Sequence, residues 1–204
     1  LGSCLGSFVF WGDFMALKII TPPAVEPITL EEAKQHLRVT GSDDDIILLS
    51  MIKQAREFCE DFQNRKYITQ TLEMVRDYFP EDNCISFKNC SPVQSVESVK
   101  YYDAGGQEYI FDSSNYIVDT DSFVNRIVLG YCKLWPTIAL QTVNAVRIRF
   151  IAGFGDKEAD IPETVKWAMI LHMRLLYDDY KPDERTKIEE ARNSLLSLNR
   201  VIPV

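Results

Sequence analysis

Residues 143–177, VNAVRIRFIAGFGDKEADIPETVKWAMILHMRLLY, decide the fold. The first part alternates: Val146, Ile148 and Phe150 are apolar, and Arg147 and Arg149 between them are charged. That is the period of a strand with one core face and one wet face. Gly153, Gly155 and Asp156 end the pattern. Pro162 then stands where a first-turn proline belongs, and helical spacing follows as far as Tyr177. At about 100° per residue, Val165, Trp167, Ala168, Met169, Ile170, Leu171, Met173, Leu175, Leu176 and Tyr177 cover most of the circumference. A helix apolar nearly all round must be enclosed, at the centre of the fold or against another subunit. His172 lies within this surface, which predicts a packed, hydrogen-bonded histidine rather than a lone metal ligand.

Upstream of this handover the chain reads as strands. Residues 69–79 are rich in β-branched and aromatic side chains, with Leu72, Met74 and Tyr78 on one face and Glu73, Val75 and Asp77 on the other. Residues 85–87, 116–118 and 126–129 are short strands. Residues 96–102 and 107–111 flank Asp103-Ala104-Gly105-Gly106, a strong hairpin signal.

Still further upstream the pattern is helical. Pro22, Pro23 and Pro27 hold residues 21–28 extended. Thr29 followed by Glu32 is a capping box, with Ile28 placed to staple onto Ala33. A short helix to Leu37 or Arg38 is broken by Gly41. Asp43, Asp44 and Asp45 suit the positive end of a second helix over residues 44–64. Its stripe is Leu48, Met51, Ile52, Ala55, Cys59 and Phe62, with Lys53/Glu57 and Arg56/Glu60 as i,i+4 pairs on the outer face. Beyond the long helix, residues 183–198 predict a last helix with Ile188, Ala191, Leu195 and Leu198 as its stripe. An apolar tail, Val201-Ile202-Pro203-Val204, closes the sequence.

The expected fold class is therefore α+β: N- and C-terminal helices packed together, with an inserted, mostly antiparallel β-rich unit. Residues 15–66 form the N-terminal helical part, 67–156 the β-rich insertion, and 157–204 the C-terminal helices and tail. The two helical parts combine into one domain. Residues 1–14 read as a leader, translated from upstream or vector-derived, with Met15 as a natural start.

Composition narrows the function classes. The chain has 204 residues and a net charge of −8, and no Lys/Arg run marks a nucleic-acid face. Acids outnumber bases over residues 67–160 and balance them over 161–204, which suggests an acidic, solvated surface on the β-rich part. Five cysteines and two histidines, with no Cys-x-x-Cys pair, are poor material for a disulfide framework or a zinc site and fit a reducing cytoplasm. Gly153-Phe154-Gly155-Asp156 lacks the later glycine and the Lys-Ser/Thr of a phosphate loop. The aspartate trio lacks the rest of a calcium loop. No apolar run approaches the roughly 20 residues that span a bilayer. Neither a catalytic constellation nor a cofactor site nor a metal site is expected.

A succession of short motifs supplies the most specific reading. Met15-Ala16-Leu17-Lys18, Ile19-Ile20-Thr21-Pro22-Pro23, Glu26-Pro27-Ile28-Thr29-Leu30-Glu31-Glu32-Ala33-Lys34 and His36-Leu37-Arg38-Val39 come first. Asp43-Asp44-Asp45, Ala55-Arg56-Glu57 and Ile68-Thr69-Gln70-Thr71 follow, then Pro92-Val93-Gln94-Ser95-Val96, Val99-Lys100-Tyr101-Tyr102-Asp103 and Tyr116-Ile117-Val118-Asp119. The series ends with Ala145-Val146-Arg147-Ile148-Arg149-Phe150, Ala152-Gly153-Phe154-Gly155-Asp156 and Ile161-Pro162. In this order, from residue 15 to about 178, the chain resembles the head–tail connector (adaptor) proteins of tailed bacteriophages and prophages.

The resemblance implies a structural virion protein at the head–tail junction, made in the bacterial host cytoplasm. It implies a ring of about a dozen copies below the portal protein, extending the DNA channel and docking the next head-completion or tail protein. DNA would be passing cargo, sliding past an acidic wall that offers no counterion-releasing contacts. No membrane partner is implied. Trp167, Ile170, Met173 and Leu175 are the candidate subunit interface, and Val201, Ile202 and Val204 the candidate portal-docking tail. Two other readings stand beside it. One is a phage tail-completion or regulatory binding module that forms no ring. The other is a metal-dependent hydrolase or nuclease using Asp43, Asp44, Asp45, Asp178 or Asp179, although consecutive helix residues diverge too far to converge on two metals about 4 Å apart.

Overall fold

The computed structural model describes residues 15–202. In chain order these form β1 (Met15–Thr21), α1 (Leu30–Leu37), α2 (Asp45–Gln63), β2 (Gln70–Arg76), β3 (Cys84–Ser86), β4 (Val93–Tyr102), β5 (Glu108–Ile110), β6 (Tyr116–Asp119), β7 (Arg126–Leu129), β8 (Val146–Ala152), α3 (Glu163–Tyr177) and α4 (Pro182–Ser197). The expected α+β mixture is borne out. None of these helices is long and apolar enough to cross a membrane.

The strands make two sheets. A five-stranded sheet runs β1-β2-β8-β4-β5 and a three-stranded one β3-β7-β6, with antiparallel neighbours throughout. The alternation expected of residues 146–150 places β8 at the centre of the large sheet: Val146, Ile148 and Phe150 are buried, and Arg149 is exposed. Together with Leu72, Met74 and Val99 these residues meet Ile85, Phe87, Ile127 and Leu129 of the small sheet in one core. The Phe87 and Phe150 rings lie 4.6 Å apart within it. The hairpin is present as β4 and β5, with Asp103 Oδ1 accepting from the amides of Gly105 and Gln107 across the turn.

A second core belongs to the helices. Ile52, Ala55 and Cys59 of α2, Ala168, Met169 and Met173 of α3, Leu196 of α4 and Ala33 of α1 pack together with Tyr67 and Ile68. The Thr29 capping box forms as expected: Glu32 N donates to Thr29 Oγ1 at 3.1 Å, and Thr29 N donates to Glu32 Oε2 at 2.9 Å. The apolar helix α3 is enclosed by this chain's own helices. Burial of each large apolar side chain there stabilises the fold by about 1.5–3 kcal/mol.

Four features differ from the sequence expectation. Residues 15–21, at the start of the expected helical part, form the edge strand β1, where Leu17 packs against the sheet core and Lys18 lies opposite Glu73. In β2, Glu73 and Val75 are buried like the opposite face, Glu73 beside the Arg149 guanidinium at 3.5 Å. Arg56 and Glu60 lie inward rather than on the outer face of α2. Arg56 Nε donates to Glu26 at 2.7 Å, while Glu60 accepts from Lys66 Nζ and from the Tyr67 amide, both at 3.0 Å. On α4 the buried residues are Arg192 and Leu196, and Ala191 and Leu198 are exposed. The Arg192 guanidinium stacks 4.4 Å from the Phe58 ring centre, so a cation occupies the position expected of an apolar side chain.

Backbone bonds lace the sheets to the helices where residues 67–69 meet 153–155. Thr69 N donates to Gly155 O at 2.9 Å, Phe154 N to Tyr67 O at 2.7 Å, and Gly153 N to Pro92 O at 2.9 Å. Gly153 has φ 138° here, and a Cβ on it would lie 2.5 Å from Thr69 N. The glycine string that lacks a phosphate loop's chemistry is a place where two backbones touch.

Candidate assembly surfaces

Helix α3 carries the first set of candidate interface residues, and its surroundings divide them. Met173, Leu175 and Ile170 are buried, at 1%, 4% and 7% exposure. Met173 and Ile170 belong to the helical core. Trp167 alone is half-exposed, at 50%, its ring packed edge-on against His36 with centroids 5.0 Å apart. Because α1, α2 and α4 all contact α3, the apolar circumference is largely used within the chain.

The tail is divided in the same way. Val201 is fully buried: its amide donates to Gln63 O at 2.9 Å, and its carbonyl accepts from Asn64 Nδ2 at 2.8 Å. Gln63 Nε2 donates to Leu196 O, and Arg65 Nε donates to Asn199 O. The tail thus docks on the C-terminal end of α2 in its own chain, satisfying backbone groups that a helix end leaves open. Ile202, one residue on, is 71% exposed. Val204 lies outside the described residues, as do residues 1–14.

His172 is packed as expected. Arg192 Nη1 donates to its Nδ1 at 2.8 Å, and the imidazole stacks on Phe58 with centroids 4.2 Å apart. Arginine can only donate, so Nδ1 accepts and the ring is neutral with its proton on Nε2. Burial, reinforced by Arg192 and Arg185, lowers the pKa of His172 to about 4. The buried thiols of Cys59 and Cys90 are pushed up to about 12 by burial, which keeps them protonated.

The aspartates serve structure. Asp45 forms an ion pair with Lys34. Asp44 accepts from the Tyr177 hydroxyl at 3.0 Å, joining the start of α2 to the end of α3. Asp178 accepts from the Tyr180 hydroxyl at 2.7 Å. Among the described residues no group of three or more His, Cys, Asp or Glu side chains is placed to hold a metal ion.

Sequence reasoning passed over the largest exposed apolar side chains. Ile46, Ile47 and Leu49 at the start of α2 are 84%, 52% and 52% exposed. Their signal is visible in retrospect: four consecutive apolar residues, Ile46 to Leu49, cannot all face one core on a helix, and only Leu48 does. Tyr131 and Leu134, in the β7–β8 connection, are also exposed. Neither set is covered by the two cores described above.

Residues 27–120 match the family of phage gp6-like head-tail connector proteins. The resemblance carried by the collinear motifs is borne out. The connector family match stands beside a likeness of fold that extends over nearly the whole chain. A chain in the neck of an empty GTA particle computed with C6 symmetry is similar with a TM-score of 0.76 at 21% identity, covering 93% of this chain and 97% of that one. A chain in the neck of a native GTA particle computed with C12 symmetry gives 0.74 at 20% identity, over 93% and 97%. A chain in the virion of a native gene transfer agent particle gives 0.72 at 20% identity, over 92% and 96%. At these identities the likeness is one of fold. No curated protein matches the chain.

Proposed function

We propose that this chain is a structural virion protein, a head–tail connector subunit that forms a ring below the portal. The ring extends the DNA channel and docks the next head-completion or tail component. One coincidence carries the reading: the connector family match over residues 27–120 falls in a chain that shares its whole fold with neck chains of phage-like particles. The symmetry of those particles supports a cyclic assembly, in which each copy presents two different surfaces to its neighbours.

The reading has no catalytic step. Of the candidate acids, Asp45, Asp44 and Asp178 are engaged by Lys34, Tyr177 and Tyr180, and the buried histidine by Arg192. What remains for partners is the exposed apolar surface. Trp167 is the member of its set that can reach another subunit, and Ile202, with Val204 beyond it, is the segment that can reach the portal. Ile170, Met173 and Leu175 would support such contacts from below. DNA passes as cargo, and no membrane or cofactor takes part. The subunit is made in the host cytoplasm and works at the virion head–tail junction.

Native mass spectrometry over a range of concentrations tests the reading. A closed assembly of about a dozen copies is expected. A stable dimer with no larger species would overturn the ring in favour of a binding module. A chain that stays monomeric alone and also fails to assemble on purified portal would overturn the connector reading altogether.

A further inference from the structure

The large sheet gathers charge that the sequence disperses. In β-sheets, side chains paired across neighbouring strands lie on the same face. One row across the sheet is Lys18, Glu73, Arg149 and Ser98; the next is Ala16, Val75, Arg147, Lys100 and Ile110. These rows lie on the face turned away from the Leu72–Phe150 core. Lys18, Lys100, Arg147 and Arg149 come from three different strands, β1, β4 and β8, so no basic run marks them in the sequence. Two carboxylates oppose them: Glu73 lies 3.5 Å from Arg149, and Glu108 takes Lys100 at 2.7 Å. Arg147 packs over the Tyr102 ring at 5.0 Å. Asp77, at the end of β2 on the same face, accepts from the Asn144 amide. Four cations against these three carboxylates leave the face with a net positive charge in a chain of net charge −8, with Ile110 exposed beside it.

The complementary surface is at the far end of the helices. The bond between Tyr177 and Asp44 brings Asp178 and Asp179 to the same end as Asp43 and Asp44. Asp43, Asp178 and Asp179 are exposed, with Arg174 and Lys181 the cations flanking the latter two, and the exposed Ile46, Ile47 and Leu49 follow Asp43 in the first turns of α2. Helix α2 has 19 residues, about 28 Å at 1.5 Å per residue, and its opposite end carries the sheet junction. A copy therefore cannot bring its own acidic end to its own basic face.

We propose that the basic face of the large sheet docks the acidic, apolar-edged end of the helices of a second copy. The inference rests on the connector reading and names the contact by which the ring closes. Two different patches meeting head to tail generate a ring rather than a twofold dimer. Opposite charge steers and registers the contact, and apolar side chains on both sides supply area.

The test uses two charge-reversed proteins, Lys18→Glu with Arg149→Glu, and Asp43→Arg with Asp179→Arg, each checked for native circular dichroism. If Arg149→Glu disturbs folding beside Glu73, Lys18→Glu with Arg149→Gln replaces it. Each protein alone should need about tenfold or more higher concentration than wild type to assemble. Mixed in equal amounts they should regain even-numbered assemblies, because every contact in an alternating ring is again between opposite charges. Raising the salt from about 0.1 M to 1 M, which shortens the screening length from about 10 to 3 Å, should weaken wild-type assembly. Variants that assemble like wild type would overturn this contact and leave the ring reading standing. Wild type that stays monomeric even on the portal would overturn both. Unchanged assembly with loss of DNA retention in Lys18→Glu/Arg149→Glu would assign the face to phosphates instead.

Discussion

Gly153 lies so close to Thr69 that its α-carbon hydrogen occupies the only space left between them; a Cβ there would sit 2.5 Å from the Thr69 amide nitrogen and 2.6 Å from the Ile68 carbonyl carbon. Both obstacles are backbone, held in place by the bonds that join strands to helices. Gly153→Ala should therefore destabilise the chain by about 2–5 kcal/mol, from the strained φ and the overlap together. Urea denaturation reads this directly. An unchanged midpoint would mean that the junction gives way at little cost.

Glu60 is the buried anion of a small polar network, accepting from Lys66, Arg56 and the Tyr67 amide. Removing it leaves Lys66 and the Tyr67 amide without their acceptor, and Arg56 with Glu26 alone. Glu60→Ala should cost about 3–5 kcal/mol, and far more than the exposed Glu57→Ala, for which about 0–1 kcal/mol is expected. Equal effects would refute the distinction between the two carboxylates.

His172 gives the fold a pH dependence of known sign. Its folded pKa is lowered to about 4, below the roughly 6.5 of an unfolded chain. Between these values the unfolded state binds more protons, so stability rises with pH. The contribution is fully present above pH 6.5, is lost as pH falls towards 4, and changes little below. Replacing His172 by Phe should flatten stability over that window in thermal melts. In the wild type, the His172 imidazole NMR signals should not titrate above about pH 5.

Val201 and Ile202 separate folding from docking. Val201→Asp would bury a charge where the tail clips onto α2 and should destabilise the subunit by several kcal/mol. Ile202→Asp, on an exposed side chain, should leave the melting temperature within about 1 °C and weaken association with portal. Unaltered portal association in Ile202→Asp would remove the tail from the docking surface.

Much of the fold was legible because local chemistry and final structure agree. Thr29 and Glu32 announce a helix start that forms as written, and the alternation around Ile148 places β8 correctly. The Asp103–Gly106 turn makes its hairpin. Position was less legible than type. The spacing of Arg56 and Glu60 shows that they pair, not which way they face, and both turn inward because Glu26 and Lys66 arrive from other segments. Arg192 was unreadable as a core residue because its cation packs against Phe58 and His172, which are distant in sequence. The candidate interface on α3 mixed core with surface for a related reason: an apolar helix shows that it is covered without showing by what. The basic sheet face had no linear signature, since its four cations meet only through strand order.

The joint between strands and helices has a mechanical meaning. The chain passes between strands and helices three times, through residues 22–29, through Tyr67–Thr69 and through Gly153–Gly155, and the last two crossings are bonded to each other. A tether crossed once can swivel; one crossed twice and laced together cannot. A tilt imposed on the helices is therefore delivered to the tip of the β4–β5 hairpin as by a lever.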